Sequence, residues 1–382
     1  MTEPLAFIDL AAQQRRIKAD LDRRIAEVLA HGAYILGPEV SELEQRLSAF
    51  CGAPEAVACA SGTDALLLAL LAMGVGPGDV VFCPAFTFAA TAEVMPMIGA
   101  VPYFVDVDPE SFNIAPESLA RSIAAAQDDG LPIVGAITVD LFGRPADYDV
   151  IEPLLQEQSL WMICDGAQSF GARHNNRRVG AIGDIATTSF FPAKPLGCYG
   201  DGGAIFTANA ERAALIRSLR AHGKGAHKYD HARIGWSSRL DTVQAAILLA
   251  KLDVFESEIL ARQQVAERYA AGLAVCRPKL AIPDMSTTTA LSVWAQYTLI
   301  LAAELDREAF RAELSAAGVP SAIYYPKALH DQAPYAAFPR DPDGLAVSEM
   351  LAERVVSLPM HPYLEAEPQR RVIEAVRAAV GL

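Results

Sequence analysis

From Ala56 to Thr207 short apolar runs alternate with helical stretches, and nothing else in the sequence limits the possible folds as tightly. Ala56–Ala60, Val80–Cys83, Val101–Val107, Ile133–Val139, Leu160–Asp165, Ala186–Phe190 and Gly203–Thr207 read as strands, with Thr63–Met73 and Ala89–Ile98 as helices between them. Strands that are apolar along their whole length need cover on both faces. Helical crossovers supply that cover, so the pattern predicts an α/β fold with a mostly parallel, doubly covered sheet. Ligand-binding groups in such a sheet gather at the carboxyl ends of the strands.

The flanks differ. Arg16–Leu29 carries apolar residues at helical spacing, and Pro38 suits the first turn of a second helix running to Phe50. Thr242–Ala271 reads as one long helix. After it the pattern shifts to strand-like Gln296–Leu301 and Ser321–Tyr325, with helices at Arg307–Ala317, Ala346–Val355 and Pro368–Val380. This predicts a large domain over 1–255 and a smaller α+β domain over 256–382, a division the length of 382 residues allows.

A net charge of −14 gives no general attraction to nucleic acid or to an anionic membrane. An anionic substrate needs a local cationic site against that background. None of the six cysteines forms a C-x-x-C pair, which points to reduced thiols rather than a disulfide framework or a metal site. Met1-Thr2-Glu3-Pro4 lacks the basic and then apolar pattern of a signal peptide, and the apolar stretch near Ala65–Val75 is too short for a membrane helix. A cytoplasmic protein is expected.

Four segments carry candidate chemistry. In Ser189-Phe190-Phe191-Pro192-Ala193-Lys194-Pro195, a lysine follows a strand end and could form an imine with an aldehyde cofactor; alone it would read as a surface lysine. Glycines at 200, 202 and 203 follow it and allow close backbone approach. Asp165 closes the apolar run Leu160–Cys164, with Gln168 just beyond; it suits either a helix cap or an anion paired with a protonated ring nitrogen. Ser61-Gly62-Thr63 lies between a strand and a helix, where free amides accept a phosphate, though it also suits a plain capped turn. Phe88, beside another strand end, suits the core or a stack on a flat ring.

These segments, in this order, resemble the DegT/DnrJ/EryC1/StrS sugar aminotransferases. The resemblance also takes in Tyr34–Glu39, Ser238-Arg239-Leu240-Asp241, Tyr325-Pro326 with Leu329-His330, and Ser357–Pro362. It implies fold type I of the pyridoxal-phosphate enzymes, the aspartate aminotransferase fold. Lys194 would hold pyridoxal 5'-phosphate as a Schiff base and shuttle the proton. Asp165 would pair with the pyridine nitrogen, Gln168 lie by the ring and Phe88 stack on it. Gly62, Thr63 and Ser189 would hold the phosphate. The family is dimeric, so a homodimer with shared active sites is implied. Ser237 and Arg239 would then enter the partner's site, the first toward the phosphate and the second toward the sugar nucleotide.

Within the family the chain is most similar to the UDP-2-acetamido-2-deoxy-3-oxo-glucuronate aminotransferases. This implies transfer from L-glutamate, leaving 2-oxoglutarate, to a nucleotide-linked 3-keto sugar, UDP-linked for preference, in cell-surface polysaccharide or glycoconjugate synthesis. Tyr324 and Tyr325 would contact the sugar. The chain also departs from common family patterns: Ser237 replaces an asparagine, Tyr324 a histidine, Cys164 an acid, and Asp140 a histidine or serine. A 4-keto sugar aminotransferase and a non-catalytic regulator of the same fold stay open as alternatives.

Overall fold

The computed structural model describes residues 5–227, 229–285 and 289–382. Helix α1 spans Leu10–His31, and its start is earlier than the apolar spacing predicts because Asp9 caps it, accepting from the Ala12 amide at 2.8 Å. Helix α2 spans Pro38–Cys51.

The alternating region forms β1 (Glu55–Cys59), α3 (Gly62–Ala72), β2 (Val80–Pro84), α4 (Ala90–Met97), β3 (Val101–Val105), α5 (Pro116–Asp128), β4 (Ile133–Val139), α6 (Tyr148–Glu157) and β5 (Trp161–Asp165). A short hairpin, β6 (Arg173–His174) and β7 (Arg177–Arg178), precedes β8 (Ile185–Ser189), β9 (Gly203–Thr207) and α7 (Ala210–Leu219). Helices α5, α6 and α7 were not assigned from the sequence.

The seven-stranded sheet has the order β1-β9-β8-β5-β4-β2-β3. Neighbours are parallel from β8 through β3, while β9 runs antiparallel to both β8 and β1. One reversed strand therefore sits in an otherwise parallel sheet, and both faces are covered. Ala56, Ala58 and Phe82 face a core shared with α2, α5, α6 and the start of the long helix. Val57, Cys59, Val81 and Cys83 point the other way, onto α3, α4 and α7. This two-sided burial explains why the strands read as unbroken apolar runs.

Helix α8 (Thr242–Leu273) spans two cores. Leu248, Leu249, Leu252, Phe255 and Ile259 pack in the large-sheet core, and Val265, Ala266, Tyr269 and Leu273 in a separate C-terminal one. That second core is built on a three-stranded antiparallel sheet, β10 (Leu280–Ala281), β12 (Tyr297–Leu301) and β13 (Val355–Leu358), with β11 (Ala290–Leu291) pairing instead with the β6/β7 hairpin. Helices α9 (Arg307–Ala316), α10 (Ala346–Arg354) and α11 (Ala366–Ala379) complete this part.

The strand expected at Ser321–Tyr325 does not form. Ala322 alone bridges to Ser357, and the chain then turns away. Packing decides this: Tyr325 accepts a hydrogen bond from Gln168 Nε2 at 3.2 Å, and its ring lies 6.2 Å from that of Phe86. No helix among the described residues is long and apolar enough to cross a membrane. All six cysteines are buried free thiols.

Candidate active site

The carboxyl ends of β1, β2, β4, β5 and β8 feed one cavity of about 430 Å³, which Lys194, Asp165, Gln168, Phe88, Gly62, Thr63, Ser189, Tyr324 and Tyr325 all line. These residues come from four of those strand ends and from the C-terminal part, with Val139 adding the end of β4, so the fold converges widely separated segments on one point.

Lys194 sits on the connection from β8 to β9. The Phe190 amide donates to Gly202 O and the Cys198 amide to Phe190 O, both at 2.7 Å, which folds the connection back on itself. Desolvation lowers the Lys194 pKa, and the Asp165 carboxylate opposes that shift. Asp165, at the end of β5, is 5 % exposed. Its Oδ2 accepts from Thr91 Oγ1 at 2.9 Å and its Oδ1 from the Ala167 amide at 3.1 Å. Burial raises its pKa all the same, against the pull of Ala167, Thr91 and Lys194. A buried carboxylate short of counter-charge is costly, and a cationic ring nitrogen in the cavity would relieve it.

The opposite end of the cavity suits an anion. Ser61 caps α3 by accepting from the Asp64 amide at 3.0 Å, while the amides of Gly62 and Thr63 have no acceptor within the helix. Gly62 is needed for space: a Cβ there would lie 2.6 Å from the Ser189 Cβ. The missing methyl lets the helix start and the Ser189 hydroxyl share one wall.

Gln168 is held from both sides, accepting from the Phe142 amide at 2.9 Å and donating to Tyr325. Burial pushes the Tyr325 hydroxyl well above the usual phenol range. Phe88 is 52 % exposed and borders the cavity, its centroid 6.1 Å from that of Tyr325. A buried carboxylate, a lysine, a half-exposed aromatic face and a helix start with a hydroxyl together fit pyridoxal phosphate.

Ser237 and Arg239 are the exceptions. Arg239 Nη2 donates to Ser237 Oγ at 3.0 Å, and neither lines the cavity of its own chain. They follow a segment whose Ile234 is 96 % exposed. Sequence reasoning missed Thr87, Gln296 and Asp201, which line the cavity, and the buried Thr91, which donates to Asp165 from behind it. Thr87 and Thr91 are four residues apart and their hydroxyls lie 3.3 Å from each other across the start of α4, a spacing visible in the sequence. Gln296 approaches only through tertiary packing.

Fold and site define a pyridoxal-phosphate-dependent transferase of fold type I. The description of the DegT/DnrJ/EryC1/StrS aminotransferase family matches residues 15–377, and the chain belongs to that family. It is 46 % identical over 361 residues to the UDP-2-acetamido-2-deoxy-3-oxo-D-glucuronate aminotransferase of Pseudomonas aeruginosa, covering 94 % of this chain and 96 % of the relative. A DegT DnrJ EryC1 StrS aminotransferase from Brucella abortus superposes with TM-score 0.95 at 47 % identity, covering 99 % of this chain and all of the other. NtdA from Bacillus subtilis, solved with bound cofactor PMP, gives TM-score 0.90 at 28 % identity over 100 % of this chain and 86 % of that one.

Proposed function

We propose that the chain transfers an amino group from L-glutamate to a nucleotide-linked 3-keto sugar, with UDP-linked sugars favoured. One observation carries the reading: Asp165, at the end of β5, and Lys194, on the connection that leaves the neighbouring strand β8, line one cavity and each feels the other's charge. The name of the Pseudomonas relative supports the sugar class.

Bound pyridoxal phosphate supplies an electron-accepting ring for the pair released at the donor carbon. The protein supplies everything else. Lys194, its pKa lowered by burial, offers an amine able to take the donor's α-proton and later return a proton to the sugar carbon. Asp165 would hold negative charge for a protonated ring nitrogen, and Gln168 and Phe88 would be further contacts of the ring. The Gly62 and Thr63 amides and the Ser189 hydroxyl bind the phosphate. Tyr324 and Tyr325 border the sugar.

Ser237 and Arg239 reach the cavity of a second copy in this reading, in keeping with the exposure of Ser237, the partial exposure of Arg239 and the absence of both from the lining of their own cavity. The enzyme then works as a homodimer. Each chain divides into a large domain, 1–255, and a small one, 256–382, with α8 continuous between them. The setting is cytoplasmic synthesis of cell-surface polysaccharide or glycoconjugate.

The test begins with the purified wild-type protein. It should turn yellow with pyridoxal phosphate, lose the colour with glutamate, and convert a UDP-linked 3-keto sugar faster than a dTDP-linked 4-keto sugar. Lys194→Ala should abolish transfer. Absence of a glutamate-driven colour change would overturn the aminotransferase assignment, and turnover of the 4-keto sugar alone would overturn the sugar assignment.

A further inference from the structure

Behind the cavity wall lies a second buried carboxylate that the proposed chemistry leaves unused. Asp140 follows the last residue of β4 and is completely buried. Its two oxygens have different work. Oδ1 accepts from the Ala146 amide at 2.9 Å and from the Tyr148 hydroxyl at 2.5 Å, which ties it to the turn entering α6. Oδ2 accepts from the Ser169 hydroxyl at 2.8 Å and lies 3.7 Å from the Cys164 thiol.

Those last two contacts stand out in the sequence. Cys164 immediately precedes Asp165, and Ser169 immediately follows Gln168. One carboxylate oxygen therefore holds both flanks of the segment that carries two of the cavity's polar groups. The backbone repeats the pattern. The Asp140 amide donates to Asp165 O at 3.2 Å, and the Phe142 amide two residues on donates to Gln168 Oε1 at 2.9 Å. A carboxylate serving only the local turn would need the Ala146 and Tyr148 contacts and nothing more. Tyr148 closes the network, its hydroxyl 3.0 Å from the Cys164 thiol.

We propose that Asp140 is a positioning residue: by gripping Cys164 and Ser169 it fixes the Asp165 carboxylate and the Gln168 amide in the directions that receive the cofactor ring. The proposal rests on the aminotransferase reading. Side chains that orient groups in contact with a cofactor control affinity and rate through precision of placement, since displacements of well under 1 Å weaken directional bonds.

Asp140→Asn tests it. The amide keeps the shape but is uncharged. With its oxygen held by the Ala146 amide, its nitrogen must face Ser169, whose hydroxyl has to turn round and accept, so both clamps lose the charge-assisted strength of the carboxylate. The variant should bind pyridoxal phosphate roughly tenfold more weakly, about 1.4 kcal/mol. Saturated with cofactor, it should show a shifted visible band and a kcat lowered by about tenfold, with KM for glutamate within about twofold of wild type. Ser169→Ala removes one clamp and leaves the carboxylate, so it should give the same changes in smaller measure and keeps the test open if the Asn variant does not fold.

A merely structural role predicts a lower melting temperature with an unchanged band and unchanged turnover per bound cofactor, and that result in both variants would overturn the proposal. The wild-type measurement separates the two readings. A wild-type protein that takes up no cofactor refutes the function, whereas a normal wild type beside normal variants refutes only the role of Asp140.

Discussion

Replacing Gly62 with alanine puts the steric design of the proposed phosphate wall under direct test. The new Cβ would lie 2.6 Å from Ser189 Cβ, 3.0 Å from its Oγ and 3.2 Å from its Cα. The tightest of these falls about 0.8 Å short of ordinary contact. Backbone and Cβ atoms cannot swing aside, so the start of α3 and the end of β8 must separate.

Overpacking of this size costs about 1–3 kcal/mol. Alanine regains up to about 1 kcal/mol over glycine in a helix, so the net loss of stability should be about 0–3 kcal/mol and the protein should still fold. Cofactor binding is hit harder. Parting the two elements weakens one or two charge-assisted bonds to the phosphate, each worth about 1.5–3 kcal/mol, and predicts at least about tenfold weaker affinity. Titrating apoprotein with pyridoxal phosphate by absorbance, alongside urea unfolding, separates the effects. Gly62→Ala combined with Ser189→Gly removes the two tightest contacts, leaving only the 3.2 Å approach to the Cα, and should recover part of the lost stability. A single variant with wild-type affinity and stability would refute the reasoning.

Two further predictions concern buried ionisable groups elsewhere. His361 is 4 % exposed, and burial, helped by the Arg262 charge, pushes its pKa from 6.5 down to about 4. The unfolded chain therefore takes up a proton at this site between those values that the native state refuses, so its contribution falls as pH drops through that window, by up to about 3 kcal/mol. His361→Gln should flatten the fall in melting temperature there. Asp140, raised by burial to about 6, contributes with the opposite sign, which makes the comparison of variant with wild type the decisive measurement. Lys251 is fully buried, its Nζ lacks a hydrogen-bond partner, and burial lowers its pKa to about 8. Its ammonium lies 4.3 Å from the centroid of the Tyr199 ring, which offsets part of the cost. Lys251→Met should raise stability at pH 7 by about 1–2 kcal/mol and remove the rise in stability expected between pH 8 and 10.5. A destabilised variant would show that the cation is better accommodated than burial implies.

The large sheet was legible because its strands are apolar on both faces, and the break in pattern after α8 was legible for the same kind of reason. Ser321–Tyr325 misled because an apolar, β-prone composition says nothing about whether a partner strand lies alongside, and beyond Ala322 the site claims the side chains instead. Lys194, Asp165 and Gly62 stood out because each ends or follows a strand. Thr91, Gln296 and the Asp140 network did not, since their importance lies in what they touch across the fold. Asp140 was visible only as an unusual residue; its grip on Cys164 and Ser169 is a tertiary fact.

The reversed strand β9 has a mechanical consequence. Every other strand end at the cavity leads into a crossover that departs across a face of the sheet. The connection bearing Lys194, residues 190–202, returns into the adjacent strand without a crossover, so it is anchored at both ends, with Ser189 registered against Gly203. It behaves as a clamped beam rather than a cantilever. Lengthening it by even one residue should carry the amine off target, whereas the crossovers can absorb insertions at their far ends. On the proposed mechanism, the part of the chain that would repeat the same proton delivery in every cycle is the part the sheet allows least play.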